Sequence, residues 1–339
     1  MDAMTLASTA VALVAGDRTR QGSIRDAVYR ALDGAEGEVR IELCEEPADA
    51  ARLMGLAGDL RMRVEGDTAL REELDQLVGT VLQAPTSTLS DSWHFAYLLQ
   101  DYANAARLAG RWDDALTAYE QSRAIMVELG DHAGAARGLN NLGIAHEDRG
   151  ELEQAADCFA RCTRAFSDLG DARAAALSLI NLGNVWDRRG RLDDAADCFE
   201  RGAHQLQAIG DIGGAAHART NLALVLHDRG SSEEALAMLT DCRRDLAGMG
   251  DAYGAALVLV DRASIYADLG SWDAALECQQ GAAQLLAELG QPEDLLPVMI
   301  RLGRLHQMLE QWDEAMTCYQ RGAALTAQIT AEPAPPAGT

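Results

Sequence analysis

DARAAALSLINLGNVWDRRGRLDDAADCFERGAHQLQAIG, residues 171–210, reads as two helices and two stops. From Ala172 to Arg189 the apolar residues Leu179, Leu182, Val185 and Trp186 fall at helical spacing. Gly190 ends that helix, in the left-handed conformation glycine adopts without strain. From Leu192 to Ile209 the pattern resumes with Ala195, Ala196, Phe199, Ala203 and Leu206. Gly210 stops it, and Asp211 stands where a side chain caps the next helix.

The same plan recurs every forty residues. Glycines stand at 110, 150, 190, 230 and 270, and again at 130, 170, 210, 250 and 290. Alanine recurs at 115, 155, 195, 235, 275 and 315. The period divides the chain into six units, 91–130, 131–170, 171–210, 211–250, 251–290 and 291–330. Each unit reads as helix A, a tight glycine turn, helix B and a Gly-Asp turn, with no strand pattern. A fixed period of this size marks a solenoid, whose units bury their apolar faces against their neighbours. The expected fold is all-α.

Leu179-x2-Leu182-Gly183-x2-Trp186, followed by Ala195-x3-Phe199, resembles the tetratricopeptide repeat (TPR) signature. Leu142-Gly143, Ala155 and Phe159 match it in the second unit, and Leu302-Gly303, Ala315 and Tyr319 in the sixth. Gly183 and Ala195 let the two helices approach, while Phe199 and Trp186 fill the space beside them. The resemblance implies a TPR superhelix of six helix-turn-helix repeats. Its period of 40, against the usual ~34, is similar to that of kinesin light chains, Pins-type polarity adaptors and bacterial TPR regulators. In those families a concave groove, lined mainly by A helices, takes up an extended or helical peptide.

The terminal units depart from the pattern, as capping repeats do. Tyr102-Ala103 replaces Leu-Gly in the first. In the last, Gln291-Pro292 replaces the Gly-Asp turn, Pro297 falls inside the expected A helix and Glu310 replaces the turn glycine. The outer face of the last B helix, taken as Met316, Tyr319, Ala323 and Leu325, is left in need of cover. Homo-oligomerisation through that end, or docking onto the N-terminal region, would supply it. Residues 1–86 lack the period and read as a small helical domain, with helices near 4–15, 22–33, 47–64 and 68–82. Alternation at Val39, Ile41 and Leu43 leaves room for a short strand. Residues 331–339, AEPAPPAGT, have nothing to bury and are expected to be disordered.

Composition narrows the function. Net charge is −24, and all 29 basic residues are arginine. Without lysine there is no P-loop lysine and no Schiff base. Nucleic acid and anionic membranes need a basic footprint, which is missing; the excess of acid favours a basic or neutral partner. The longest apolar stretch, Met4 to Ala15, is too short to span a bilayer and lacks a basic segment before it. These features predict a cytoplasmic protein. Cys158, Cys198, Cys278 and Cys318 share one place in the unit and Cys162 and Cys242 another. Equivalent places in stacked repeats lie roughly 10 Å apart, too far for disulfides, so buried free thiols are expected. Cys158 and Cys162 alone make no metal site, and neither metal nor cofactor is predicted.

The candidate site is an asparagine ladder. Asn141, Asn181 and Asn221 hold one place in three successive units, immediately before Leu142, Leu182 and Leu222. That place turns away from the A/B contact, and in TPR proteins it points into the groove. An amide there both donates to and accepts from a peptide backbone. Arg137 and His217 lie one turn before Asn141 and Asn221, and Asn184 one turn after Asn181. Asp101, Asp261 and Arg301 occupy the ladder place in the first, fifth and sixth units. The alternative is structural: the asparagines bond a neighbouring A helix and fix the curvature of the array. Trp112, Trp272 and Trp312, alternating with Leu152 and Leu192, read as core packing. Acidic pairs such as Asp113-Asp114, Asp193-Asp194 and Glu233-Glu234 open B helices, where they complement the positive helix end. No nucleophile or general base is legible, so an enzyme is not expected. The expected function is a non-catalytic scaffold that binds a protein or peptide partner. The alternative is a regulatory adaptor or sensor whose N-terminal domain contacts a separate effector, an NTPase or a protease.

Overall fold

The computed structural model describes residues 93–108 and 110–330. The expected N-terminal helices and strand, the domain over 1–86 and the tail over 331–339 lie outside the described residues. The chain divides into two compact units, residues 1–171 and 172–339. The first carries α1 (Trp93–Leu108), α2 (Trp112–Glu128), α3 (His132–Arg149) and α4 (Leu152–Asp168). The second carries α5 (Ala172–Arg188), α6 (Leu192–Ala208), α7 (Ile212–Asp228), α8 (Ser232–Gly248), α9 (Ala252–Asp268), α10 (Trp272–Glu288), α11 (Pro292–Met308) and α12 (Trp312–Thr330). Odd-numbered helices are the A helices of the repeats and even-numbered helices the B helices. Helix is the only regular structure among the described residues.

Glycine turns set the register. Gly190 has φ 69°, and the Arg191 N–H donates to the Trp186 carbonyl at 2.9 Å, closing the end of α5. The next helix is then capped from its own sequence: the Gly214 N–H donates to Asp211 Oδ1 at 2.9 Å, and Asp131 and Asp251 cap α3 and α9 in the same way. In the last repeat Glu310 takes the left-handed turn with φ 60°, a conformation that an L side chain adopts only with strain.

Close approach explains the Leu-Gly pair. A Cβ on Gly183 would meet the Phe199 ring at 2.7 Å; on Gly143 it would meet Phe159, and on Gly303 it would meet Tyr319. The phenyl rings of Phe159 and Phe199 are almost wholly buried there. In the second unit each B helix before the last also packs on the following A helix, and the A helix α7 touches both α5 and α9. One cluster unites Ala195, Ala196 and Phe199 of α6 with Val225 of α7, and Leu192 and Leu222 pack against it. The six described cysteines are free and buried, and burial pushes the Cys158 and Cys198 thiols up to about 11.

Two packing expectations are corrected. Trp312 is 64% exposed, whereas Trp112 and Trp272 are half-buried. At the equivalent place Leu192 is covered by α7, and among the described residues no A helix follows α12. Leu325, expected on the open face, is buried in the cluster with Val298, Met299 and Leu302. The acidic pairs do open B helices. They also tie repeats together: Arg149 reaches Asp113 at 2.7 Å and Arg229 reaches Asp193 at 3.1 Å. These pairs lie in solvent, so each contributes at most about 1 kcal/mol.

Candidate binding face of the A helices

Helix geometry places the ladder. Leu182 and Gly183 are buried between α5 and its neighbours, so Asn181, one residue earlier, sits about 100° round the helix. In the second unit this face carries Asn181 and Asn184 on α5, His217 and Asn221 on α7, Asp261 on α9 and Arg301 on α11. The asparagines and Asp261 are half-buried; His217 and Arg301 are exposed.

A hydrogen bond knits neighbouring A helices together on this face: Asn221 Nδ2 donates to Asn184 Oδ1 at 3.2 Å. A bond of this kind is what the structural alternative expects of the ladder. Asp261 on α9 also lies within electrostatic reach of Arg301 on α11. Burial pushes the Asp261 carboxyl up to about 6, while the Arg301 charge pulls it part of the way back.

A further set of charges escaped the sequence analysis. Asp187, Asp228 and Asp268 lie in the last turns of α5, α7 and α9, near the negative end of each helix. Anions are disfavoured there. Burial raises the Asp187 pKa and the neighbouring Asp228 charge raises it further. Asp268 approaches His227 Nε2 at 3.2 Å, and His227 Nδ1 lies 2.8 Å from Ser232 Oγ. The signal was available in part: Asp228 and Asp268 follow the ladder place by seven residues, two helical turns, on the same side, whereas Asp187 falls one residue short of that place, about 100° round the helix.

In the first unit Asn141 is half-buried on α3 and Arg137 is exposed one turn earlier. Arg137 Nη2 donates to the Tyr97 hydroxyl at 3.2 Å and lies 3.8 Å from Asp131. Burial raises the pKa of Asp101 on α1. Arg107 of α1 pairs with Asp148 of α3. The sequence-predicted residues thus form two groups, one on each unit: Arg137 with Asn141, and the six from Asn181 to Arg301.

Among the described residues no group of three or more His, Cys, Asp or Glu is arranged to hold a metal ion. None of the described helices is long and apolar enough to cross a membrane.

Family profiles described as tetratricopeptide repeat match residues 95–168 and 254–328, and residues 176–201 and 216–239. The chain belongs to the tetratricopeptide repeat family. Solved structures agree on the fold. BtubC (BKLC) from P. vanneervenii is 17% identical, with a TM-score of 0.55 over 74% of this chain and 97% of that one. The apo form of RapI is 12% identical, with a TM-score of 0.55 over 77% of this chain and 92% of that one. A Rap protein complexed with Competence and Sporulation Factor is 10% identical, with a TM-score of 0.51 over 83% and 94%. No curated protein matches the chain. A TPR array is at the coarse level a protein–protein interaction scaffold, and its fold offers surface rather than catalytic machinery.

Proposed function

We propose that this TPR protein is a non-catalytic scaffold that captures an extended or helical segment of a partner on the A-helix face of residues 172–330, and that the segment is basic. The observation that carries this reading is the set of carboxylates held at electrostatic cost on that face. Asp187 and Asp228 repel one another at helix ends that already disfavour anions. Asp261 is half-buried one repeat beyond the end of the amide row, on α9. A lysine or arginine from a partner relieves all three. The amides of Asn181, Asn184 and Asn221 supply backbone recognition, each hydrogen bond contributing roughly 0.5–1.5 kcal/mol. Among similar folds, a Rap protein has been solved in complex with Competence and Sporulation Factor, which supports ligand capture by an array of this kind.

The test is selection from a displayed peptide library on the full chain, followed by affinity measurement. Enriched peptides should carry Lys or Arg. Asn181→Ala with Asp228→Asn should weaken binding at least about tenfold and leave the thermal midpoint within a few degrees. A selected pool without basic enrichment, or binding indifferent to both substitutions, refutes the reading.

A further inference from the structure

In the interior of the second unit every B helix gives one face to the A helix that follows. On α6 that face is Leu192, Ala196, Phe199, Ala203 and Leu206; the last four are buried, and Leu192 packs beside Leu222 and Val225 of α7. The equivalent residues of α12 are Trp312, Met316, Tyr319, Ala323 and Thr326. Trp312 is 64% and Met316 58% exposed, and Ala323 and Thr326 are exposed as well. The spacing alternates between four and three residues, as in the seam of a coiled coil. The other side of α12 is fully engaged: Ala315, Cys318, Gly322 and Leu325 are buried.

We propose that this seam is a self-association surface, in which α12 of one copy packs antiparallel against α12 of a second copy. The seam is graded in size. Its N-terminal half is large, with Trp312, Met316 and Tyr319, and its C-terminal half is small, with Ala323 and Thr326. An antiparallel two-fold arrangement lays large on small: Tyr319 beside Ala323 and Met316 beside Thr326 of the other copy. A two-fold contact requires this self-complementarity. Parallel packing would set tryptophan on tryptophan and leave a void between the alanines. Charge points the same way. Asp313 flanks the seam at its N-terminal end, and antiparallel packing carries the two Asp313 carboxylates to opposite ends, each beside Ala327 of the other copy. Parallel packing would bring them together, and would align the helix dipoles as well.

Sedimentation equilibrium of the full chain over a range of concentrations tests this. The wild-type chain should reach a dimer. Met316→Glu should raise the dimer dissociation constant at least about tenfold without moving the thermal midpoint at low concentration, because Met316 lies in solvent in the single copy. Thr326→Arg added to Met316→Glu should restore most of the affinity, since the antiparallel register sets residue 316 beside residue 326. A chain that stays monomeric overturns the proposal, as does a dimer insensitive to Met316→Glu. Loss of the dimer without rescue by Thr326→Arg overturns the antiparallel pairing.

Discussion

Replacing Asp261 with asparagine is expected to stabilise the chain at neutral pH and to change little near pH 4. Burial lifts the Asp261 carboxyl from 3.8 to about 6 against the pull of Arg301. The native state therefore holds the proton more tightly than the unfolded state. Below pH ~4 the group is protonated in both states and contributes no pH dependence. As pH rises from about 4 to about 6 the unfolded chain ionises first, and folding loses stability. Above that window the loss is complete and constant. Two pKa units correspond to roughly 3 kcal/mol at most, and partial solvent access brings the expected value to about 1–2 kcal/mol. Asparagine mimics the protonated acid, so the variant escapes this loss. Urea unfolding of both proteins at pH 4, 5, 6 and 7 isolates Asp261, because every other titrating group is common to the pair. The gap between them should open across pH 4–6 in favour of Asn. A gap independent of pH, or a variant less stable than wild type at pH 7, refutes the burial argument.

Three other perturbations follow from the packing. Gly183→Val should destabilise by about 1–3 kcal/mol, read as a fall in the urea midpoint, because a Cβ there meets the Phe199 ring at 2.7 Å; an unchanged midpoint contradicts the close approach. Glu310→Gly should raise the thermal midpoint by relieving the left-handed turn at φ 60°, a gain of roughly 1 kcal/mol. The six described cysteines should resist a thiol reagent in the native chain at pH 8 and react on unfolding, since burial raises the thiol pKa of Cys158, Cys198, Cys242, Cys278 and Cys318.

The backbone was legible in sequence because its determinants are local. The helix expected from Ala172 to Arg189 runs from Ala172 to Arg188, and the one expected from Leu192 to Ile209 runs to Ala208. Glycine stops, aspartate caps and the Leu-Gly contact each act within one repeat, and the period multiplied the signal. Contacts between repeats were less legible. The Asn184–Asn221 bond joins residues on different helices, and it forms only because of how far apart those helices stand. Nothing in the sequence of either repeat states that distance. Trp312 was assigned to the core from the company of Trp112 and Trp272, yet its exposure depends on a neighbour that the interior repeats have and α12 lacks. Leu325 was misplaced for a related reason: one residue of rotation on a helix moves a side chain about 100°, from the open seam to the contact with α11. The repulsion that Asp228 exerts on Asp187 likewise arises between repeats.

Site-specific photo-crosslinking tests the central claim most directly. A photoreactive residue placed at His217 or Asn184 on the A helices, or at Glu200 or Asp241 on the exposed side of the B helices, is irradiated with a basic peptide selected on the full chain. The account predicts adducts from His217 and Asn184, suppressed by raised salt, and none from Glu200 or Asp241. Adducts confined to the B-helix positions would contradict it.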